Sequence, residues 1–230
     1  MTDRAATAPK PRSLTTPILG ALFLLAAAAF FVGFWMDDVV VRLVSKPIPV
    51  LALAAWVALS KPDRIGWAVF VGLLLSVVGD ILLEIPADLF VFGLIAFLTA
   101  HLAYIGAALL DTRRLAPLRA LPVLGYCAAI YLVLFPGMGG LAVPVAVYVT
   151  VIGTMLWRMA ARVDGRTTAW LAFTGAVIFT VSDSIIAVRK FGVDFTLARE
   201  LIMLTYWGGQ ALIAASVVKG VSERLTSRAG

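Results

Sequence analysis

The sequence predicts an all-α protein, a polytopic membrane helix bundle with eight transmembrane helices and both termini in the cytoplasm. Three observations carry that prediction. Of the 230 residues, 62% are apolar and 14% charged, with a mean hydropathy of +1.01. A soluble domain is about half apolar and about a quarter charged, so this chain lacks the charge to coat a globule. Apolar runs of about 20 residues, the length a helix needs to satisfy its backbone across hydrocarbon, recur along the chain. The basic residues also fall unequally between those runs. They stand in short clusters, a pattern that sorts a membrane topology rather than contacting phosphodiesters, so the net charge of +6 calls for no nucleic-acid partner. One cysteine, Cys127, excludes an internal disulfide, and one histidine, His101, leaves no His/Cys cage for zinc. No metal or cofactor is expected.

Eight runs qualify as spans, at 17–35, 39–59, 65–85, 88–110, 117–135, 139–160, 168–188 and 199–218. Arg4, Lys10 and Arg12 precede the first in the manner of a signal sequence. The run is longer than an h-region and has no small-x-small cleavage site, which makes it a retained helix. The second run is the weakest. Only 47–59 is uninterrupted, Arg42 and Lys46 lie at i,i+4 within it, and Pro47 bends or starts the helix there. In the third, Gly72, Ser76, Asp80 and Glu84 follow at successive i+4 steps, a small-to-polar stripe that faces protein or a cavity. The fourth places His101 and Tyr104 on one face at i,i+3. The fifth and sixth qualify on length and apolar content. The seventh carries Thr180, Ser182, Asp183 and Ser184. The eighth carries Tyr206 and Gln210 at i,i+4, with Gly208 and Gly209 between them allowing close helix approach. Connections are short, so neighbouring helices should run antiparallel. One transmembrane domain, 17–218, is thus flanked by cytoplasmic tails at 1–16 and 219–230. The stretches GLLLSVVGDILL and GAVIFTVSDSII, in the third and seventh spans, both set a glycine eight residues before an aspartate, a weak echo of a four-plus-four duplication.

Counting from the N-terminal tail, the odd-numbered segments hold 14 Lys and Arg and the even-numbered ones hold 5. The positive-inside rule therefore sets both termini in the cytoplasm and the protein in the cytoplasmic (inner) membrane. Arg42, Lys46, Arg189, Lys190 and Arg199 are the exceptions on the outer side.

An ionisable group costs about 3 kcal/mol to insert near the bilayer centre, which makes each one inside a span a functional candidate. In this orientation Asp80, Glu84 and Asp183 lie in the outer third of their spans, and Arg42 and Lys46 at the outer end of theirs. Tyr206 lies in the outer half and His101 near mid-membrane. These groups could meet in one polar cavity open to the outer leaflet. Structural readings stand beside that one. Arg42 and Lys46 could snorkel to headgroups. Glu84, within a turn of its helix end, reads as solvated. His101 could bond a backbone carbonyl, and an ion pair with Lys46 could account for Asp80 or Asp183. Thr180, Ser182 and Ser184 read as helix-packing residues, and no G-x-S-x-G elbow supports a serine hydrolase.

Five pieces carry a resemblance. They are Lys46-Pro47 opening the second span, Gly79-Asp80 with Leu83 in the third, GLIAFLTAHLAY from Gly93 to Tyr104, VSDSIIA from Val181 to Ala187, and TYWGGQALI from Thr205 to Ile213. In that order and at similar spacing, from about Lys46 to Ile213, the chain resembles the YhhN-like family of multi-pass membrane proteins, which includes lysoplasmalogenase. The resemblance implies hydrolysis of the vinyl-ether bond of a lysoplasmalogen or related lysophospholipid, to a fatty aldehyde and a glycerophospho-base. That chemistry needs an acid to protonate the β-carbon and a carboxylate to activate water and stabilise the oxocarbenium ion. Asp80 and Asp183 are the expected acid/base pair, in either order. His101 and Tyr104 would orient a carboxyl group or the water, and Tyr206 and Gln210 would wall the cavity. Lys46, with Arg42 or Arg189, would hold the lipid phosphate. Water and membrane lipids are the other partners. Without the resemblance, the spans alone would equally describe a small-solute or lipid transporter with a polar mid-membrane site.

Overall fold

Among the described residues, 14–227, the computed structural model holds nine α-helices, two 3-10 turns and no strand. Arg4, Lys10, Arg12 and Arg228 lie outside the described residues. The helices are α1 (Thr15–Trp35), α2 (Val39–Ser45), α3 (Ile48–Leu59), α4 (Arg64–Glu84), α5 (Phe90–Asp111), α6 (Ala120–Met138), α7 (Ala142–Ala161), α8 (Thr167–Phe191) and α9 (Ala198–Ser227). Their limits fall within three residues of the expected spans, except that α9 runs on to Ser227 and the second span is divided.

That division has a local cause. Asp38 caps α2, its Oδ1 accepting from the amides of Val40 at 2.9 Å and Val41 at 3.0 Å. After seven residues α2 reaches Lys46-Pro47, where proline has no N–H to continue the ladder, and α3 starts afresh. Asp63 caps α4 in the same way, accepting from Gly66 N at 3.0 Å.

Seven stretches of the described residues are long and apolar enough to cross a bilayer. One of them, Pro117–Ala161, is 45 residues long. As one rod it would measure more than twice the roughly 30 Å of a hydrocarbon core. It is not a rod. Gly139, at φ +50, ends α6 in a conformation glycine adopts without strain, and after a 3-10 turn the chain reverses into α7. The start of α6 consequently lies beside the end of α7, where Arg119 Nη1 donates to Ala160 O at 2.6 Å and Val163 O at 2.8 Å.

Helices cannot associate in lipid by hydrophobic burial alone, so close approach at small residues takes over. Gly175 of α8 and Gly209 of α9 face each other. A Cβ on either would stand 2.7–2.8 Å from the other's carbonyl oxygen. On α4, Gly72 and Gly79 lie directly beneath the rings of Tyr104 and Phe97 of α5. The outward faces are apolar, with Leu24, Leu25, Leu102, Val133 and Leu204 among the exposed side chains. A multi-pass membrane protein presents such a surface to lipid; a soluble monomer of this size would not.

The two ends of the bundle differ. At the end where α5 finishes, arginines bind helix termini together. Arg162 pairs with Asp111 at 2.8 Å, Arg224 with Asp63 at 2.9 Å, and Arg158 donates to the carbonyls of Thr112 and Arg114 at 2.7 Å each. At the other end, where α4 finishes, the chain leaves a cavity.

Candidate active site

Three hydrogen-bonded clusters lead inward from that cavity. The outermost is ionic. Glu84 at the end of α4 accepts from Arg42 Nε at 2.8 Å through Oε1 and from Lys46 Nζ at 3.1 Å through Oε2, and Arg42 also reaches Asp37 at 3.1 Å. All three groups of the Glu84 cluster are nearly buried, with side chains 8–10% exposed. Lys46 thus has Glu84 as its hydrogen-bonded counter-ion, and the solvated reading of Glu84 gives way to a salt bridge that pins α2 to α4.

The second cluster joins α4, α5 and α9. The Tyr206 hydroxyl donates to Asp80 Oδ2 at 2.8 Å. Deeper, Tyr104 donates to Gln210 Oε1 at 2.7 Å, Gln210 Nε2 donates to Ser76 Oγ at 2.9 Å, and Ser76 donates to Gly72 O at 2.9 Å. Every side chain here is buried, as a satisfied polar network inside a bilayer must be.

The third joins α5, α7 and α8. The Tyr148 hydroxyl donates to Asp183 Oδ2, and His101 Nε2 lies 2.9 Å from the Tyr148 oxygen and 3.3 Å from Asp183 Oδ2. His101 Nδ1 is buried without a partner among the described residues. A proton on Nε2 therefore leaves no donor unpaired, and it aims the ring N–H at the carboxyl and phenol. No hydrogen bond among the described residues joins this cluster to Asp80. The ring of Phe179 contacts both His101 and Tyr206, at centroid distances of 5.0 and 5.4 Å, and Phe97 closes the same wall.

Two chambers adjoin these clusters. The outer, a vestibule of about 330 Å³, is lined by Lys46, Glu84, Arg189, Lys190, Asp194 and Arg199 together with apolar side chains. Its volume is in the roughly 300–1,000 Å³ range of small-molecule sites. The inner is a slot of about 50 Å³ lined by Phe97, Val145, Tyr148 and Asp183. Leu83, Phe90 and Ile186 line both, so the two chambers adjoin across a shared apolar wall. Asp194 and Arg189 pair at 2.9 Å, and that hydrogen bond holds the Asp194 carboxyl below the usual carboxylate range. The arrangement is amphipathic: a cationic mouth, an apolar slot, and a carboxyl between a phenol and an imidazole on the slot's wall.

Of the residues expected from sequence, Asp183 and His101 come together, with Asp183 on a chamber wall. Lys46 and Arg189 line the vestibule. Arg42 is engaged by Glu84 and Asp37, and it lines neither chamber. Asp80, Tyr104, Tyr206 and Gln210 form the buried second cluster and also line neither. Tyr148 is the residue that sequence reasoning missed. A phenol inside an apolar run needs a partner, and that was its one signal. Lys190 and Arg199 stood out as charges on the sparse side without a role.

The sequence model of the YhhN family matches residues 41–217. Among curated proteins, lysoplasmalogenase TMEM86A of Bos taurus is 37% identical over 158 residues, 66% of this chain and 65% of the relative. Lysoplasmalogenase TMEM86B of Rattus norvegicus is 32% identical over 205 residues, 86% of this chain and 83% of the relative. A lysoplasmalogenase of Mycobacterium bovis is 37% identical over 158 residues, 64% of this chain and 58% of the relative. The chain thus spans just under two thirds of the TMEM86A relative and most of TMEM86B. No solved structure matches it. The family match runs from α2 to α9 and takes in all three clusters, and the chain belongs to the YhhN family.

Proposed function

We propose that this protein is a lysoplasmalogenase, cleaving the vinyl-ether bond of a lysoplasmalogen to a fatty aldehyde and a glycerophospho-base. The observation that carries the reading is the position of Asp183, the carboxyl on the wall of an apolar slot that adjoins a cationic vestibule. The first carbons of an alkenyl chain suit the slot and a phosphate suits the mouth, which leaves the vinyl ether beside Asp183. Relatives named lysoplasmalogenase support the same substrate.

One carboxyl suffices for the proton traffic. Asp183 in its protonated form gives its proton to the β-carbon, the double-bond electrons form the new C–H bond, and positive charge spreads over the α-carbon and the ether oxygen. Water adds to the α-carbon and yields a proton to the Asp183 carboxylate, which restores the carboxyl. The hemiacetal then collapses. Its hydroxyl proton is lost, the bond from carbon to the glycerol oxygen breaks, and that oxygen takes up a proton. One water is consumed. Tyr148 and His101 hold the carboxyl in register by their bonds to Oδ2. Asp80 is the second carboxyl, a positioning residue that acts through Tyr206 and the Phe97–Phe179 wall.

The protein crosses the cytoplasmic membrane eight times in this reading, with α6 and α7 as separate crossings and both termini inside. The antiparallel contact of Arg119 with the end of α7 supports the first point and the 14-to-5 distribution of basic residues the second. The vestibule then opens to the outer leaflet. The test is aldehyde release from a lysoplasmalogen by purified protein in detergent, with an ester lysophospholipid and Asp183→Asn alongside. Aldehyde that requires both the vinyl ether and Asp183 is the expected result. Equal turnover by a folded Asp183→Asn variant would overturn it.

A further inference from the structure

The vestibule's charges are not balanced, and the imbalance is localised. Four bases line it, Lys46, Arg189, Lys190 and Arg199, against two acids, Glu84 and Asp194. Lys46 is held by Glu84 and Arg189 by Asp194. Lys190 and Arg199 have no carboxylate at ion-pair distance among the described residues. Each rests on an aromatic face instead. Arg199 Cζ lies 4.9 Å from the ring centre of Phe34, and Lys190 Nζ lies 4.8 Å from that of Phe90. A ring face steadies a cation without occupying its N–H donors, so a guanidinium with five donors and an ammonium with three stay available to an anion.

The geometry points to Lys190 and Arg199 as the phosphate ligands of this vestibule, which selects a lysolipid by its phosphate and not by its linkage. This deepens the hydrolase reading and rests on it for the lipid. Asp183, Ile186 and Lys190 fall at i, i+3 and i+7 on α8, one face of a helix. Ile186 lines both chambers. Lys190 is therefore about 10 Å along the axis from Asp183, at 1.5 Å per residue, a gap that a glycerol unit and the Lys190 side chain bridge together. The roles expected of Lys46, Arg42 and Arg189 become those of a frame, each already paired with an acid, that holds the two free cations apart.

Binding tests this without any turnover. The probes are a 1-O-alkyl lysophosphocholine, which has no vinyl ether to cleave, 1-O-alkylglycerol, which lacks the phosphate, and inorganic phosphate. Affinities are measured in detergent for the wild type, Lys190→Gln, Arg199→Gln, the double variant, and Arg224→Gln at the far end of the bundle. The wild type and Arg224→Gln should prefer the phospholipid over the alkylglycerol by at least tenfold, and the double variant should lose the preference. Should Arg199→Gln misfold, Lys190→Gln and Arg199→Lys serve, because Lys190 is exposed and Arg199→Lys keeps the charge; a fall in preference in Lys190→Gln then supports the assignment. A preference that survives in a folded double variant, or that Arg224→Gln loses equally, overturns it. Inorganic phosphate binding as tightly as the lipid overturns the headgroup assignment. Preference without aldehyde from a vinyl-ether lysolipid would sink the hydrolase reading and leave these ligands standing; aldehyde without preference does the reverse.

Discussion

The Tyr206 hydroxyl donates to Asp80 Oδ2 at 2.8 Å, and neither residue lines the chamber whose wall Asp183 forms. The two aspartates that look equivalent along the chain are therefore unequal in space. Asp183→Asn should lower kcat by about 10²- to 10⁴-fold, the worth of a positioned proton-transfer group. Asp80→Asn should cost far less in kcat and more in stability, about 1–3 kcal/mol for disturbing a buried hydrogen bond. Steady-state kinetics beside thermal melting in detergent separate the two. Equal losses of kcat would return Asp80 to the chemistry.

Tyr148 is assigned to positioning, and its removal has a distinct signature. Tyr148→Phe keeps the ring against His101, centroids 5.4 Å apart, and deletes only the donor to Asp183. The slot keeps its shape, so KM should hold while kcat falls by about tenfold, roughly 1.4 kcal/mol of transition-state stabilisation. A rise in KM with kcat unchanged would make Tyr148 a wall residue.

Glu84 binds two cations near the membrane interface, and one of them, Lys46, has no other ion-pair partner among the described residues. Glu84→Gln should destabilise the protein by about 3 kcal/mol, the low end for breaking a buried pair, since Arg42 keeps Asp37. A second substitution, Lys46→Gln, should recover part of that loss, because Lys46 has Glu84 alone as its ion-pair partner among the described residues and is left uncompensated without it. Thermal unfolding of the single and double variants measures both.

The crossing of α8 and α9 depends on two missing Cβ atoms. Gly175→Ala or Gly209→Ala would force a methyl group to within 2.7–2.8 Å of a backbone oxygen that cannot swing aside. Overpacking of this kind costs about 1–3 kcal/mol, and at Gly209 it also presses on Phe179, which borders both aspartate clusters. Gly208→Ala meets nothing within 4 Å and is the control; it should leave the melting temperature unchanged or raise it.

The helices themselves were legible because lipid imposes one rule on every span, a length of unbroken apolar residues, and Lys46-Pro47 announced the break between α2 and α3. The basic cluster was legible as a set of exceptions. What escaped was whatever depends on the helix opposite. Periodicity orders residues on their own helix and says nothing of what they meet. Glu84 read as solvated because it ends α4, whereas α2 folds back across that end. Tyr148 had no motif because its partners are 35 and 47 residues away in sequence. Asp80 and Asp183 were ranked alike for the same reason. Each sits in an apolar run, and only the packing of α5, α7 and α8 opens a slot to one of them.

Orientation gives the last prediction. Four of the five bases on the sparse side line the vestibule and the fifth, Arg42, is bound to Glu84. None is left as a loop charge of the kind that anchors cytoplasmic segments, so the exceptions no longer weaken the positive-inside bias. Val193, 73% exposed beside the vestibule, and Asp164, exposed at the opposite end, are suitable reporters. With Cys127 replaced by serine, Val193→Cys should react with an impermeant maleimide in intact cells, and Asp164→Cys should react only after permeabilisation. The reverse pattern would invert the protein and bring the substrate in from the cytoplasmic leaflet.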